Sequence, residues 1–164
     1  MYVAGLLLTA EQPGSRADAA ARMLDVNVVG AIRLLEHAAE YMAAAGRGRL
    51  AAVGSIAGDR GRKGNPAYAA SKAALDVYLE GLRHRLHGSG VGVTTVKPGF
   101  VRTRMLRPDA PGFPPAISAD EAARRIARGL ERGRDVFYVP AWWAFVSWAL
   151  RLTPRFLYKR VAPA

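Results

Sequence analysis

Three short strand-like runs, the continuous apolar Leu50-Ala51-Ala52-Val53-Gly54, the β-rich Val91 to Val96 and Val136 to Val139, are separated by segments with helical spacing. This alternation narrows the folds open to the chain. A run that is apolar at nearly every position suits a strand buried on both faces, the condition met inside a parallel sheet. The intervening helices must then cover both faces through right-handed crossovers, which predicts an α/β fold with a doubly wound parallel sheet.

The helices carry their own boundary signals. Ser15 with Asp18 forms a capping-box pattern, and Ala/Leu-rich spacing continues to Ala45, where Gly46 ends it, so one long helix with Asn27 inside is expected. Ser55 falls at the carboxyl end of the first strand. A Gly- and Arg-bearing loop, Ile56 to Asn65, leads to Pro66 at a first helical position, and that helix runs to about His87 before Gly88. Pro98-Gly99 ends the second strand. Ser118 with Glu121 is a second capping box, opening a helix to about Arg132 that Gly133 stops. There is no internal repeat, and 164 residues suit a single domain.

Composition excludes several classes of function. The chain has no cysteine, which rules out a disulfide framework, thiol catalysis and Cys-based zinc sites, and fits a reducing compartment. Met1 to Ala10 is apolar but has no basic leader and no small-residue cleavage site, so a cytoplasmic location is expected. With 51% hydrophobic residues the chain is globular outside the Pro-rich stretch Arg107 to Pro115. The formal charge of +11 suggests a phosphate-bearing partner. The cations are scattered from Arg16 to Arg160 without a recognisable nucleic-acid motif, so solvated faces are expected rather than nucleic acid, while anionic cofactors and lipid headgroups stay open.

Tyr68 and Lys72 stand four residues apart on the helix that Pro66 opens. Positions i and i+4 project from one face, so an ammonium is held beside a phenol and is expected to lower its pKa, the wiring of a phenolic acid/base. In an open parallel sheet ligands bind outside the carboxyl ends of the strands, where Ser55 and the loop after Pro98 belong, so these groups can converge. Gly58, Gly61 and Gly64 lack the spacing of a phosphate-binding glycine loop, and His84 with His87 has no carboxylate partner nearby, so no metal site is assigned.

With Asn27-Val28-Val29-Gly30, Gly54-Ser55-Ile56-Ala57-Gly58, Tyr68 with Lys72, and Pro98-Gly99-Phe100-Val101-Arg102-Thr103 in this order, the chain resembles the short-chain dehydrogenase/reductase family over roughly residues 4 to 139. The resemblance implies a Rossmann-like sheet and an NAD- or NADP-dependent oxidoreductase that reduces a ketone or oxidises a secondary alcohol. It implies that Tyr68 is the general acid/base, that Ser55 hydrogen-bonds the reacting oxygen, and that Lys72 lowers the phenol pKa and binds the nicotinamide ribose. It also implies that Asn27 holds a water linking Lys72 to solvent. Cofactor contacts are expected from Gly5, Tyr68, Lys72, Pro98, Gly99, Val101 and Thr103, and the family's long helices often pack between subunits, so a homo-oligomer is expected of the full-length protein.

The family opens with a Gly-rich turn that cradles the dinucleotide pyrophosphate, and these 164 residues carry none. Val3-Ala4-Gly5 resembles the end of the family's fourth-strand motif. The first three βα units are therefore expected to be absent, the inner sheet edge unpaired, and the sequence a fragment or mis-started reading of a chain about 80 residues longer. An inactive remnant serving as an interaction or membrane-surface module is the alternative to an enzyme.

Residues 1–140 read as a partial Rossmann-like domain and 141–164 as its aromatic, basic helical tail. Trp142, Trp143, Phe145, Trp148, Phe156 and Tyr158 alternate with Arg151, Arg155, Lys159 and Arg160, and no acid follows Asp135. The uninterrupted apolar part, Ala141 to Leu150, is far short of the roughly 20 residues that span a bilayer. Two readings stay open: the aromatics cover the sheet or a subunit contact, or the tail lies peripherally on the inner face of a membrane. This ending, with Gly58-Asp59-Arg60-Gly61-Arg62, is similar to the decaprenylphosphoryl-2-keto-ribose reductase subgroup, which implies a lipid-linked substrate, whereas the family at large implies a small-molecule carbonyl or alcohol.

Overall fold

A computed structural model describes residues 1–8, 15–106 and 115–161. The Pro-rich stretch from Arg107 to Pro114 lies outside the described residues. Three strands, β1 (Gly48–Val53), β2 (Val91–Pro98) and β5 (Val136–Val139), form a parallel sheet in that order. Two residues each in β3 (Val101–Arg102) and β4 (Ile117–Ser118) make a separate parallel pair beyond the end of β2. The inner edge is not wholly unpaired, because Tyr2 lies parallel to β1, donating to Ala51 O at 2.7 Å and accepting from Val53 N at 3.0 Å.

The predicted first helix is two α-helices joined by a wider turn: α1 (Arg16–Leu24), a π turn over Asp25–Val29, and α2 (Gly30–Ala44). Its capping box is complete, with the Ser15 hydroxyl accepting from Asp18 N–H at 3.1 Å and the Asp18 carboxylate accepting from Ser15 N–H at 3.3 Å. Helix α3 (Pro66–Arg85) starts at the predicted proline, and the Asn65 side chain accepts from Tyr68 N–H at 2.9 Å, satisfying an otherwise orphaned donor. Gly88 beyond its end takes φ +82°, a left-handed conformation that glycine adopts without a Cβ clash.

Only half of the second expected capping box forms. Ser118 accepts from Glu121 N–H at 3.1 Å at the start of α4 (Ala119–Glu131), but the Glu121 carboxylate pairs with Arg125 one turn along instead of returning to the cap. The tail is not one helix. Pro154 supplies no N–H and disfavours the helical region for the residue before it; Thr153 is accordingly extended, separating α5 (Trp143–Leu152) from α6 (Arg155–Val161).

Both faces of the sheet are covered. Leu50, Ala52 and Val93 meet Ala31, Leu35 and Ala39 of α2 and Leu75, Leu79 and Leu82 of α3 in one buried cluster. Val96, Phe137 and Val139 meet Ala122, Ile126 and Leu130 of α4, together with Val101 and Ile117, in the other. The carboxyl end of β1, where Ser55 emerges, lies beside the second turn of α3, with Lys72 donating to Val53 O at 3.0 Å.

Candidate functional site

Ser55 leaves β1 in an extended conformation and caps the short 3-10 turn over Ile56–Asp59, its hydroxyl accepting from Ala57 N–H at 3.0 Å. That turn can sit against α3 because residue 58 is glycine: a Cβ there would lie 2.8 Å from the Lys72 carbonyl carbon and 2.9 Å from Ala73 N. Gly54 is constrained likewise, since its Cβ would lie 2.7 Å from Asp76 Oδ1. Two glycines in the first strand's exit thus bring the Ser55 hydroxyl to the Tyr68 and Lys72 face of α3.

Tyr68 does not behave as its spacing from Lys72 suggests. Burial pushes the phenol above its ordinary pKa, and the hydrogen bond of the Ser55 hydroxyl and the charge of Arg62 pull only partly the other way. The Lys72 ammonium is 5.8 Å from the centre of the Tyr68 ring and donates to Val53 O at 3.0 Å. The neighbouring positive charge that lowers the phenol is Arg62, an exposed-looking loop residue in the sequence.

Lys72 is buried, and desolvation lowers its pKa to about 8, with Asp76 one turn on opposing the drop. Its ordinary value is 10.5, so the folded chain releases this proton before the unfolded chain does. Between the two values the unfolded state binds more protons, and stability rises with pH across that window; below pH 8 the full cost of the buried ammonium applies. Lys72→Met should therefore be more stable than the parent by about 2–3 kcal/mol at pH 7, with the gap closing by about pH 10.5. Urea melts over that range test this, and a gap independent of pH would contradict it.

Asn27 is fully buried at the π turn, a distortion that aims side chains an α-helix cannot. Its amide clasps Leu6 on both sides, donating to the carbonyl at 2.9 Å and accepting from the N–H at 2.7 Å, and it donates to Ser71 Oγ at 3.0 Å. Gly5 lies between Asn27 and Lys72: a Cβ there would be 3.4 Å from Lys72 Nζ and 3.6 Å from Asn27 Oδ1. Asn27, Gly5, Ser55, Tyr68 and Lys72 are therefore brought together. The remaining predicted residues differ in their surroundings. Val101 packs on the core cluster of α4, and Thr103 is exposed, its hydroxyl accepting from Met105 N–H at 3.3 Å. Gly99, next to Pro98, lies under Trp143, whose indole occupies the space any Cβ would fill.

A buried charge cluster behind the site escaped the sequence reading. Lys97, in β2, is held between Asp59 and Asp76, the second at 2.7 Å. The Asp59 side chain has no exposed surface, and it also accepts from Ser147 Oγ at 2.7 Å, Tyr138 OH at 3.1 Å and Arg151 at 3.0 Å. Burial raises the Asp76 pKa, partly offset by Lys97, and its Oδ1 has no hydrogen-bond partner. The nearby loop is fastened to the tail as well, with Arg60 donating to the carbonyls of Leu150 and Thr153 and Tyr158 OH donating to Gly61 O at 2.9 Å. One signal was available in the sequence: a lysine continuing an apolar strand run needs a buried counter-charge.

A family model described as short chain dehydrogenase matches residues 2–112. The chain is 37% identical over 155 residues to an uncharacterized oxidoreductase of Mycobacterium tuberculosis, an alignment covering 92% of this chain and 61% of that protein. It is 38% identical over 111 residues to an uncharacterized oxidoreductase of Myxococcus xanthus, covering 68% of this chain and 44% of the relative. A short-chain dehydrogenase from Burkholderia cenocepacia, solved in complex with NADP, superimposes with a TM-score of 0.82 at 26% identity, covering 100% of this chain and 70% of that one. The chain thus spans about three fifths or less of the length of the curated relatives it matches.

Proposed function

Because the chain belongs to the short-chain dehydrogenase family, we propose that it carries the acid–base site of a nicotinamide-dependent oxidoreductase that interconverts a ketone and a secondary alcohol. The observation that carries this reading is the convergence of Ser55 on Tyr68 at the carboxyl end of β1, with Lys72 buried one turn along α3. A bound nicotinamide would supply or accept the hydride at the substrate carbon. In reduction the Tyr68 hydroxyl donates its proton to the carbonyl oxygen, and in oxidation the phenolate takes it back from the alcohol. The Ser55 hydroxyl donates a hydrogen bond to that oxygen as charge gathers on it.

The residues present fit a nicotinamide nucleoside in one respect that can be checked locally. Gly5 leaves open the space beside Lys72 Nζ and Asn27 Oδ1 that a side chain would fill, so Lys72 can donate to ribose hydroxyls there. Pro98, Gly99, Val101 and Thr103 border the same end of the sheet and would flank the cofactor. Asn27, holding Leu6 and Ser71, keeps this floor in place. Burial holds the phenol above its ordinary pKa, so at neutral pH it carries the proton that reduction requires.

Titration of NADPH and of NADH with the protein, read as quenching and blue shift of the reduced nicotinamide fluorescence, tests the proposal. Saturable binding of at least one is expected, and a Gly5→Leu substitution should weaken it by filling the space beside Lys72. Indifference to both nucleotides would overturn the reading.

A further inference from the structure

Helix α5 turns Trp143 and Ser147 inward, and its opposite side is apolar and open. Phe145 is 76% exposed, Trp148 66% and Leu152 60%, and they recur at three- and four-residue spacing, so they form one stripe. Phe156, 73% exposed, continues the apolar surface on α6. Single exposed apolar side chains need no explanation, but four large ones on adjoining helices make a patch that marks a contact surface.

The charges around this patch select its partner. Arg155, Lys159 and Arg160 are exposed on α6, and the sequence holds no acid after Asp135. Arg155 and Lys159 also border a shallow, open depression of about 400 Å³ shared with Arg60, Gly61 and Tyr158. A second copy docked face to face would set these cations against their own equivalents with no acid from the tail between them. An anionic surface removes that repulsion and accepts the aromatic side chains at the same time. Neither helix is long and apolar enough to cross a bilayer, so the contact is in the plane of the interface.

We propose that the α5–α6 face is a docking surface for an anionic phospholipid bilayer. Phe145, Trp148, Leu152 and Phe156 enter the boundary between headgroups and acyl chains, and Arg155, Lys159 and Arg160 meet the lipid phosphates. The proposal stands apart from the oxidoreductase reading, since it uses none of Ser55, Tyr68 or Lys72.

Flotation with phosphatidylcholine vesicles, with and without phosphatidylglycerol, tests it. The protein should partition onto the anionic vesicles on the order of a hundredfold better than onto neutral ones. Arg155→Glu with Lys159→Glu should reduce that binding by about thirtyfold or more, and added salt should weaken it in the parent. A Phe145→Ser, Trp148→Ser, Phe156→Ser variant should lose binding to both vesicle types, while its far-UV circular dichroism and melting stay those of the parent. Trp148 provides a second signal, a blue shift of emission on vesicle addition that Trp148→Phe diminishes. Equal binding to neutral and anionic vesicles, or anionic binding unchanged in the aromatic variant, would overturn the proposal. So would concentration-dependent self-association that the aromatic substitutions abolish in a protein that ignores vesicles, which would assign the face to a second copy.

Discussion

Asp59→Ala should destabilise the protein by about 3–5 kcal/mol, a large effect for one residue in a surface-seeming loop. The carboxylate has no exposed surface and gathers Lys97, Ser147, Tyr138 and Arg151 from β2, α5, β5 and the end of α5. Its removal leaves the Lys97 ammonium, itself only 5% exposed, with Asp76 as its one remaining counter-charge among the described residues. The cost comes chiefly from that stranded charge. Asp59→Ala combined with Lys97→Met should therefore recover much of the loss, and a urea double-mutant cycle should show strong coupling between the positions. An Asp59→Ala variant within about 1 kcal/mol of the parent would show that the cluster is not held together as described.

Tyr68→Phe should lower carbonyl reduction by about 10²–10⁴-fold with little change in melting. Phenylalanine keeps the ring that packs beside Lys72 and deletes only the hydroxyl that faces Ser55. Oxidation of the alcohol needs the phenolate, so its rate should climb as pH rises toward the phenol's elevated pKa. Arg62→Ala should move that rise to still higher pH, because it removes a charge that holds the phenol down. A Tyr68→Phe enzyme with parental turnover would end the proposed role, whereas parental nicotinamide binding alone would not.

The regular elements were legible because each announces itself locally. Ser15 with Asp18, Asn65-Pro66 and Gly88 are signals that act within a turn of the boundary they set, and the runs at Leu50, Val91 and Val136 are strands because apolar and β-branched residues, Thr94 and Thr95 among them, fill them. The tail was harder to read. Its aromatic residues look alike in sequence, yet Trp143 is buried on Gly99 and Phe145 is exposed, a difference decided by packing on the sheet. Thr153-Pro154 did carry a local sign that one helix could not continue.

The grouping of Ser55, Tyr68 and Lys72 was legible through spacing on α3 and strand order, whereas the state of the phenol was not. Burial sets its direction, and the charge that opposes burial comes from Arg62 in the loop, at a distance no helical period encodes. Asp59 shows the same limit more plainly. In the sequence it is one acid among glycines and arginines, and β2, β5 and α5 must all close around it before it becomes a buried hub.

The π turn at Asp25–Val29 has a consequence for helical phase. Met23, Asn27, Ala31, Leu35 and Ala39 are all buried, a strict period of four. In an α-helix each such step overshoots a full turn by about 40°, so four steps would carry the stripe about 160° around the axis and off the sheet. One extra residue in a wide turn returns about 100° of that drift. The interruption lets a single rod point Asn27 at Leu6 and Ser71 and still lay Leu35 and Ala39 on the core. Removing one residue within Asp25–Val29 would restore the hydrogen-bond ladder and keep both halves on the core, and the loss would fall on the turn that holds Asn27 against Leu6 and Ser71.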